Sequence, residues 1–105
     1  MASPRIRNLR RRARLKLNYL LLKQKSKCYY CRRQIARPYQ LRGKILVQTE
    51  DEIIYMDSDG ELQTIGVATT DHVQPLGEGG TSRFRNLVAA CWNCNMDRNE
   101  EARKR

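Results

Sequence analysis

The cysteines of this chain come as two C-x-x-C pairs, Cys28 with Cys31 and Cys91 with Cys94, separated by 59 residues. A two-residue spacer lets both sulfurs of a pair face one point, and two such pairs complete a tetrahedral thiolate site about 2.3 Å from a zinc ion, with no open position. One Zn2+ would then clamp a loop holding most of the chain, so metal-binding free energy becomes folding free energy. The chain needs such a clamp. Its 105 residues suit one domain, yet only 40% are apolar, with a single Phe and a single Trp, and so small a core is marginal unaided. A thioredoxin-like redox pair would require a βαβ context around one C-x-x-C and would leave the second pair surplus. Disulfides would require an oxidising compartment.

The longest apolar run near the start, Tyr19-Leu20-Leu21-Leu22, lies between Lys16 and Lys23. It falls far short of the ~20 residues of a membrane span and of the roughly 7–15 residues of a signal-peptide core. The expectation is a cytoplasmic protein with reduced thiols and no membrane. Charge is lopsided. Residues 1–49 carry 15 Lys and Arg and no acid, whereas residues 50–105 carry 6 Lys and Arg against 11 acids. Basicity gathered in one segment implies a polyanionic partner. Nucleic acid ranks first, ahead of an anionic membrane or an acidic protein.

Ser3-Pro4 supplies an N-cap and a first-turn proline. Ile6, Leu9, Ala13, Leu17, Leu20 and Leu21 follow at helical spacing, predicting a helix to about Lys25. Arg7, Arg10, Arg11 and Arg14 lie mostly off that stripe and suit phosphate contact, although a solvated face has the same pattern. Strands are expected over Lys44–Thr49, Ile53–Met56 and Leu62–Val67, with Asp57-Ser58-Asp59-Gly60 as the turn of a β-hairpin insert spanning about 44–67. The strand-like flanks argue against a calcium loop, which sits between helices. Ala68–Val73 reads as a further strand and Gln74–Asn86 as a glycine-containing loop without the Gly-Lys-Ser/Thr of a phosphate loop. Leu87–Ala90 reads as a strand and Asn93 to Arg103 as a helix. The division is thus a basic N-terminal helix over 1–27 and an α+β domain over 28–105.

The chemistry-bearing residues cluster late in the chain. His72 is the only histidine and Asp71 precedes it. Neighbours on a strand point to opposite faces, but twist at a strand end can bring both to one site. Asn95 follows the last cysteine, and Arg98 lies one helical turn on. Carboxylate and carboxamide oxygens suit a hard cation such as Mg2+ or Mn2+. Arg83 and Arg85 lie in the loop nearby, while Tyr30 and Trp92 sit inside the cysteine knuckles, where packing is the expected role.

The stretch Thr70-Asp71-His72-Val73-Gln74-Pro75-Leu76, continued by Gly79-Gly80, Asn86-Leu87-Val88-Ala89-Ala90-Cys91 and Cys94-Asn95-Met96-Asp97-Arg98, resembles the HNH endonuclease motif. The family's letters fall on His72, Asn86 and Asn95, with Asn in place of the final His. The resemblance implies a small zinc-stapled ββα-metal (His-Me finger) fold. It also implies His72 as general base, Asp71 and Asn95 as ligands of one catalytic Mg2+ or Mn2+, and Asn86 as anchor of the loop that aims His72. Arg98 would contact phosphate. The implied activity is hydrolysis of DNA phosphodiesters to 3′-hydroxyl and 5′-phosphate ends. RNA fits the charge equally well, and a monomer would cut one strand where a homodimer could cut two. A zinc-stapled nucleic-acid-binding module without catalysis explains the charge and the cysteines as well, but not Asp71, His72, Asn86 and Asn95 together.

Overall fold

The computed structural model describes residues 15–103, so the expected contacts of Arg7, Arg10, Arg11 and Arg14 lie outside the described residues. Within them the chain is α+β. Helix α1 (residues 15–23) leads into the first cysteine knuckle. Then come β1 (Ile35–Ala36), β2 (Ile45–Gln48), β3 (Glu52–Met56), β4 (Leu62–His72), β5 (Leu87–Cys91) and helix α2 (Trp92–Arg103). The strands form one sheet in the order β1-β4-β3-β2, with β5 also paired to β4.

Helix α1 presents Leu17, Leu20 and Leu21 to the core, as its stripe predicts; they join Ile35, Ala68, Leu87, Ala89, Ala90, Cys28 and Cys91 in one buried cluster. The helix stops because the chain turns left-handed at Lys25 (φ 56°) and Ser26 (φ 59°). The Ser26 N–H reaches back to Leu21 O at 2.8 Å and Lys25 N–H to Leu22 O at 3.3 Å, which satisfies carbonyls a helix end leaves open. Just before that turn, Gln24 docks on β5 as a strand residue would. Its Nε2 donates to Ala89 O at 2.8 Å and its Oε1 accepts from Ala89 N at 2.9 Å.

The hairpin forms as expected. Asp57 accepts bonds from the Asp59 and Glu61 N–H groups and from Gln63 Nε2, each at 2.9 Å, so its carboxylate closes a turn. Ile53 and Ile65 face each other across β3 and β4 and are buried. Ile54 with Met56 and Leu62 occupies the other face, where Met56 and Leu62 are exposed.

One expectation is corrected. Leu62–Val67 and Ala68–Val73, read as separate strands, are a single 11-residue strand, β4. No turn former interrupts Val67-Ala68-Thr69-Thr70, and Gly66 acts inside the strand. A Cβ there would lie 3.1 Å from Cys91 Cβ and 3.2 Å from Ile35 Cγ2, so its missing side chain lets neighbouring strands close over β4. The first half of β4 pairs with β3, and its second half runs antiparallel to β5 from Ala68↔Cys91 to His72↔Leu87. Helix α2 begins at Trp92, directly after β5. Among the described residues no helix is long and apolar enough to cross a membrane.

Candidate active site and thiolate cluster

The strand–helix corner at the end of β5 carries Cys91 and Cys94, and the α1–β1 connection brings Cys28 and Cys31 to them. The four sulfurs lie within 4.8 Å of one another, with 3.9 Å between Cys31 Sγ and Cys91 Sγ. Sulfurs about 2.3 Å from one tetrahedral ion stand roughly 3.8 Å apart, so the cluster fits zinc with little adjustment. Backbone N–H groups already address the sulfurs: Cys91 N donates to Cys28 Sγ and Cys94 N to Cys91 Sγ, both at 3.3 Å. Burial pushes the Cys28 thiol up, but N–H groups of Cys31, Cys91 and Tyr30 outweigh it and its pKa falls to about 7. Burial pushes Cys91 and Cys94 up. Gathering several thiolates is unfavourable without a cation, and a metal ion relieves that.

The C-terminal end of β4 projects Asp71 and His72. Asp71 is buried, and its Oδ2 accepts from Arg98 Nε at 2.8 Å. Arg98, from α2, also donates Nη2 to Val73 O at 2.9 Å, and its guanidinium carbon sits 4.5 Å from the centre of the Tyr30 ring. Tyr30 belongs to the first knuckle. Its hydroxyl is buried without a hydrogen-bond partner of ordinary geometry among the described residues, and burial, followed by the Asp71 carboxylate, raises its pKa. A stack thus runs from the thiolate knuckle through Tyr30 and Arg98 to Asp71.

His72 Nε2 meets Ser82 Oγ at 3.2 Å. Ser82 belongs to the loop between β4 and β5, and Asn86 ties that loop to its own start. Asn86 Oδ1 accepts from Gln74 N at 2.8 Å, while Nδ2 donates to Gln74 O at 3.0 Å and to Thr81 O at 2.6 Å. Gly80 is tucked against the Gln74 carbonyl so closely that a Cβ would collide with it, which explains a glycine there better than loop flexibility does. Asn95 Nδ2 donates to Thr69 Oγ1 at 3.0 Å and Thr70 O at 3.3 Å. Those bonds turn its Oδ1 away from the strand, where Asn99 Nδ2 donates to it at 3.3 Å.

Asp71, His72, Pro75, Leu76, Arg98 and Asn99 line a cleft of about 240 Å3. Asp71 and His72 therefore reach one cleft although they are neighbours on a strand. Asn86 braces the loop beside it, and Asn95 lies one turn before Asn99 on α2. Three residues at the site carried no functional expectation. Asn99 could have been found from its i+4 spacing to Asn95. Ser82 has no local signal, since a loop places it. Tyr30 was expected only to pack.

Asp71 and Asn95 carry a carboxylate and a carboxamide, the oxygen donor types that a hard divalent cation such as Mg2+ or Mn2+ takes. Arg98 holds one oxygen of Asp71 and Asn99 donates to the carboxamide oxygen of Asn95, so a cation bound by both residues would take the place of the Asn99 bond.

Comparison with curated proteins returned no match, and comparison with solved structures returned none. Cys28 and Cys31 come from outside the segment that a family model recognises. From the turn of the hairpin to the last turns of α2, residues 60–101 match the model described as HNH endonuclease, so the strand, loop, strand and helix that build the cleft are the part of the chain similar to that family.

Proposed function

We propose that this protein is a metal-dependent endonuclease that hydrolyses DNA phosphodiester bonds, with His72 as general base and one divalent cation held by Asp71 and Asn95. The observation that carries the reading is the convergence of Asp71 and His72 on one cleft at the end of β4, within the segment similar to the HNH family. His72 takes a proton from the attacking water, a task suited to a group whose ordinary pKa is about 6.5. Ser82 holds Nε2, which fixes the ring so that its other nitrogen can act as the base. Bound at Asp71 and Asn95, Mg2+ or Mn2+ would stabilise charge developing on the phosphate and the leaving oxygen.

Arg98 serves first to hold Asp71 in place, and its side chain remains 35% exposed, enough to meet a phosphate as well. The Asp71 charge is offset by Arg98, so a divalent cation binds weakly until a phosphate adds its own charge. Asn86 acts as a positioning residue through the loop. The products are 3′-hydroxyl and 5′-phosphate ends, and a single cleft cuts one strand at a time. The basic residues 1–49 supply affinity that is largely independent of sequence.

The Asp71–Arg98 ion pair favours a second reading. A non-catalytic zinc-stabilised nucleic-acid-binding module would use the same pair to brace α2 against β4. Supercoiled plasmid incubated with zinc-loaded protein in Mg2+ or Mn2+ separates the two. Relaxed circles are expected from the native chain and none from His72→Ala, with zinc content and circular dichroism unchanged. Intact plasmid at every metal and pH would refute the nuclease and leave the binding module.

A further inference from the structure

Helix α1 and the loop between β4 and β5 meet at a hollow of about 350 Å3 lined by Tyr19, Leu20, Lys23, Phe84 and Arg85. Its chemistry is unlike that of the catalytic cleft. Tyr19 and Phe84 meet edge to face, with centroids 5.2 Å apart and planes at 68°. Both remain about half exposed, at 54% and 47%. Their packing on each other therefore leaves aromatic surface open to a planar partner.

Cations surround the pair. Lys16, Tyr19 and Lys23 share one face of α1 by their spacing of three and four. Lys16 Nζ stands 5.7 Å from the Phe84 centroid and donates to Ser82 O at 3.1 Å. Arg83 and Arg85 flank Phe84 and are exposed. No acidic residue occurs in residues 15–49 or 79–96, so none lies in α1 or between Thr81 and Asn86. Ser82, two residues before Phe84, touches His72, so one loop carries both a contact to the imidazole and the aromatic wall of the hollow.

Resting on the nucleic-acid reading above, we infer that the Tyr19–Phe84 hollow is a base-stacking subsite. It takes an unpaired nucleotide, with Lys16, Lys23 and Arg85 on its backbone. Exposed aromatic faces interleaved with cations bind single strands in this way: rings stack on bases of any sequence while cations follow the phosphates. Duplex would present only phosphates, because its bases are stacked on one another.

The test is equilibrium binding by fluorescence anisotropy, with zinc-loaded protein and no added magnesium so that no strand is cut. The probes are a labelled thymidine 12-mer, an abasic strand of the same length and a 12-base-pair duplex. The native chain should bind the thymidine strand about fivefold or more tighter than the abasic strand. Phe84→Leu, which keeps apolar filling for Tyr19 but removes the aromatic face, should erase that difference and leave abasic and duplex binding in place. Phe84→Trp should restore it. Equal binding of thymidine and abasic strands by the native chain overturns the inference, as does a proportional loss of all three probes in Phe84→Leu. Either result leaves the nuclease reading to the plasmid assay, and an uncut plasmid with base-dependent binding would sink the nuclease alone.

Discussion

Asn86→Ala should open the loop beside His72 without unfolding the protein. The wild-type side chain makes three hydrogen bonds, two to Gln74 and one to Thr81. Each is worth about 0.5–1.5 kcal/mol net, and the surroundings are largely solvated, which favours the lower half of that range. Three bonds then sum to about 2 kcal/mol, or roughly thirtyfold in the equilibrium between closed and open loop. The cost is local, because Asn86 caps the loop while the core lies along β5 and α1. Native-state hydrogen exchange separates the two cases. The Gln74 amide, whose acceptor is lost, should exchange roughly thirtyfold faster. The amides of Ala89 and Ala90, residues fully buried in β5, should exchange as before. Unchanged protection at Gln74 would refute the anchor. An equal acceleration at Ala89 and Ala90 would mean that loop and core open as one unit.

Three further outcomes follow from the fold. One zinc per chain should be retained through purification, and a strong chelator should unfold the protein; Cys94→Ser should lower the metal stoichiometry and melt near the apo form, and a chain that stays folded without metal would contradict the clamp. Gln24→Leu orphans the Ala89 N–H, since Ala89 O keeps the Tyr29 N–H at 3.0 Å; it should cost about 1–3 kcal/mol and lower the Tm by roughly 5–15 °C at fixed zinc, and a shift under 2 °C would argue against the docking. Lys25→Gly removes the strain of a left-handed lysine (φ 56°) and should stabilise by about 0.5–1 kcal/mol, seen as a Tm higher by a few degrees; a lower Tm would refute the strain.

The thiolate pairs, the apolar stripe of α1 and the alternation along the hairpin could be read locally, because each rests on spacing within one element. Residues 71, 72, 86, 95 and 98 could be singled out because the motif fixes their order. What escaped depends on contacts between distant segments. Gln24 bonds to a residue 65 positions away, and Ser82 reaches His72 only because Asn86 shapes the loop. The continuity of β4 was missed for a different reason: a change of pairing partner leaves no mark on the strand that is shared. Tyr30 was readable as a packing residue, yet its ring also supports Arg98, a cross-element contact that no residue spacing announces.

That shared strand has a geometric consequence. Ten steps of about 3.3 Å make β4 a ruler of at most roughly 33 Å from Leu62 to His72. The rise of double-stranded DNA is about 3.4 Å per base pair. A duplex lying along β4 would cover about ten base pairs between the imidazole and a tip that carries Asp57, Asp59 and Glu61, with no Lys or Arg from Ile45 to Ser82, so the far end of the insert would repel its phosphates and turn a polyanion toward the basic face of α1 and its loop.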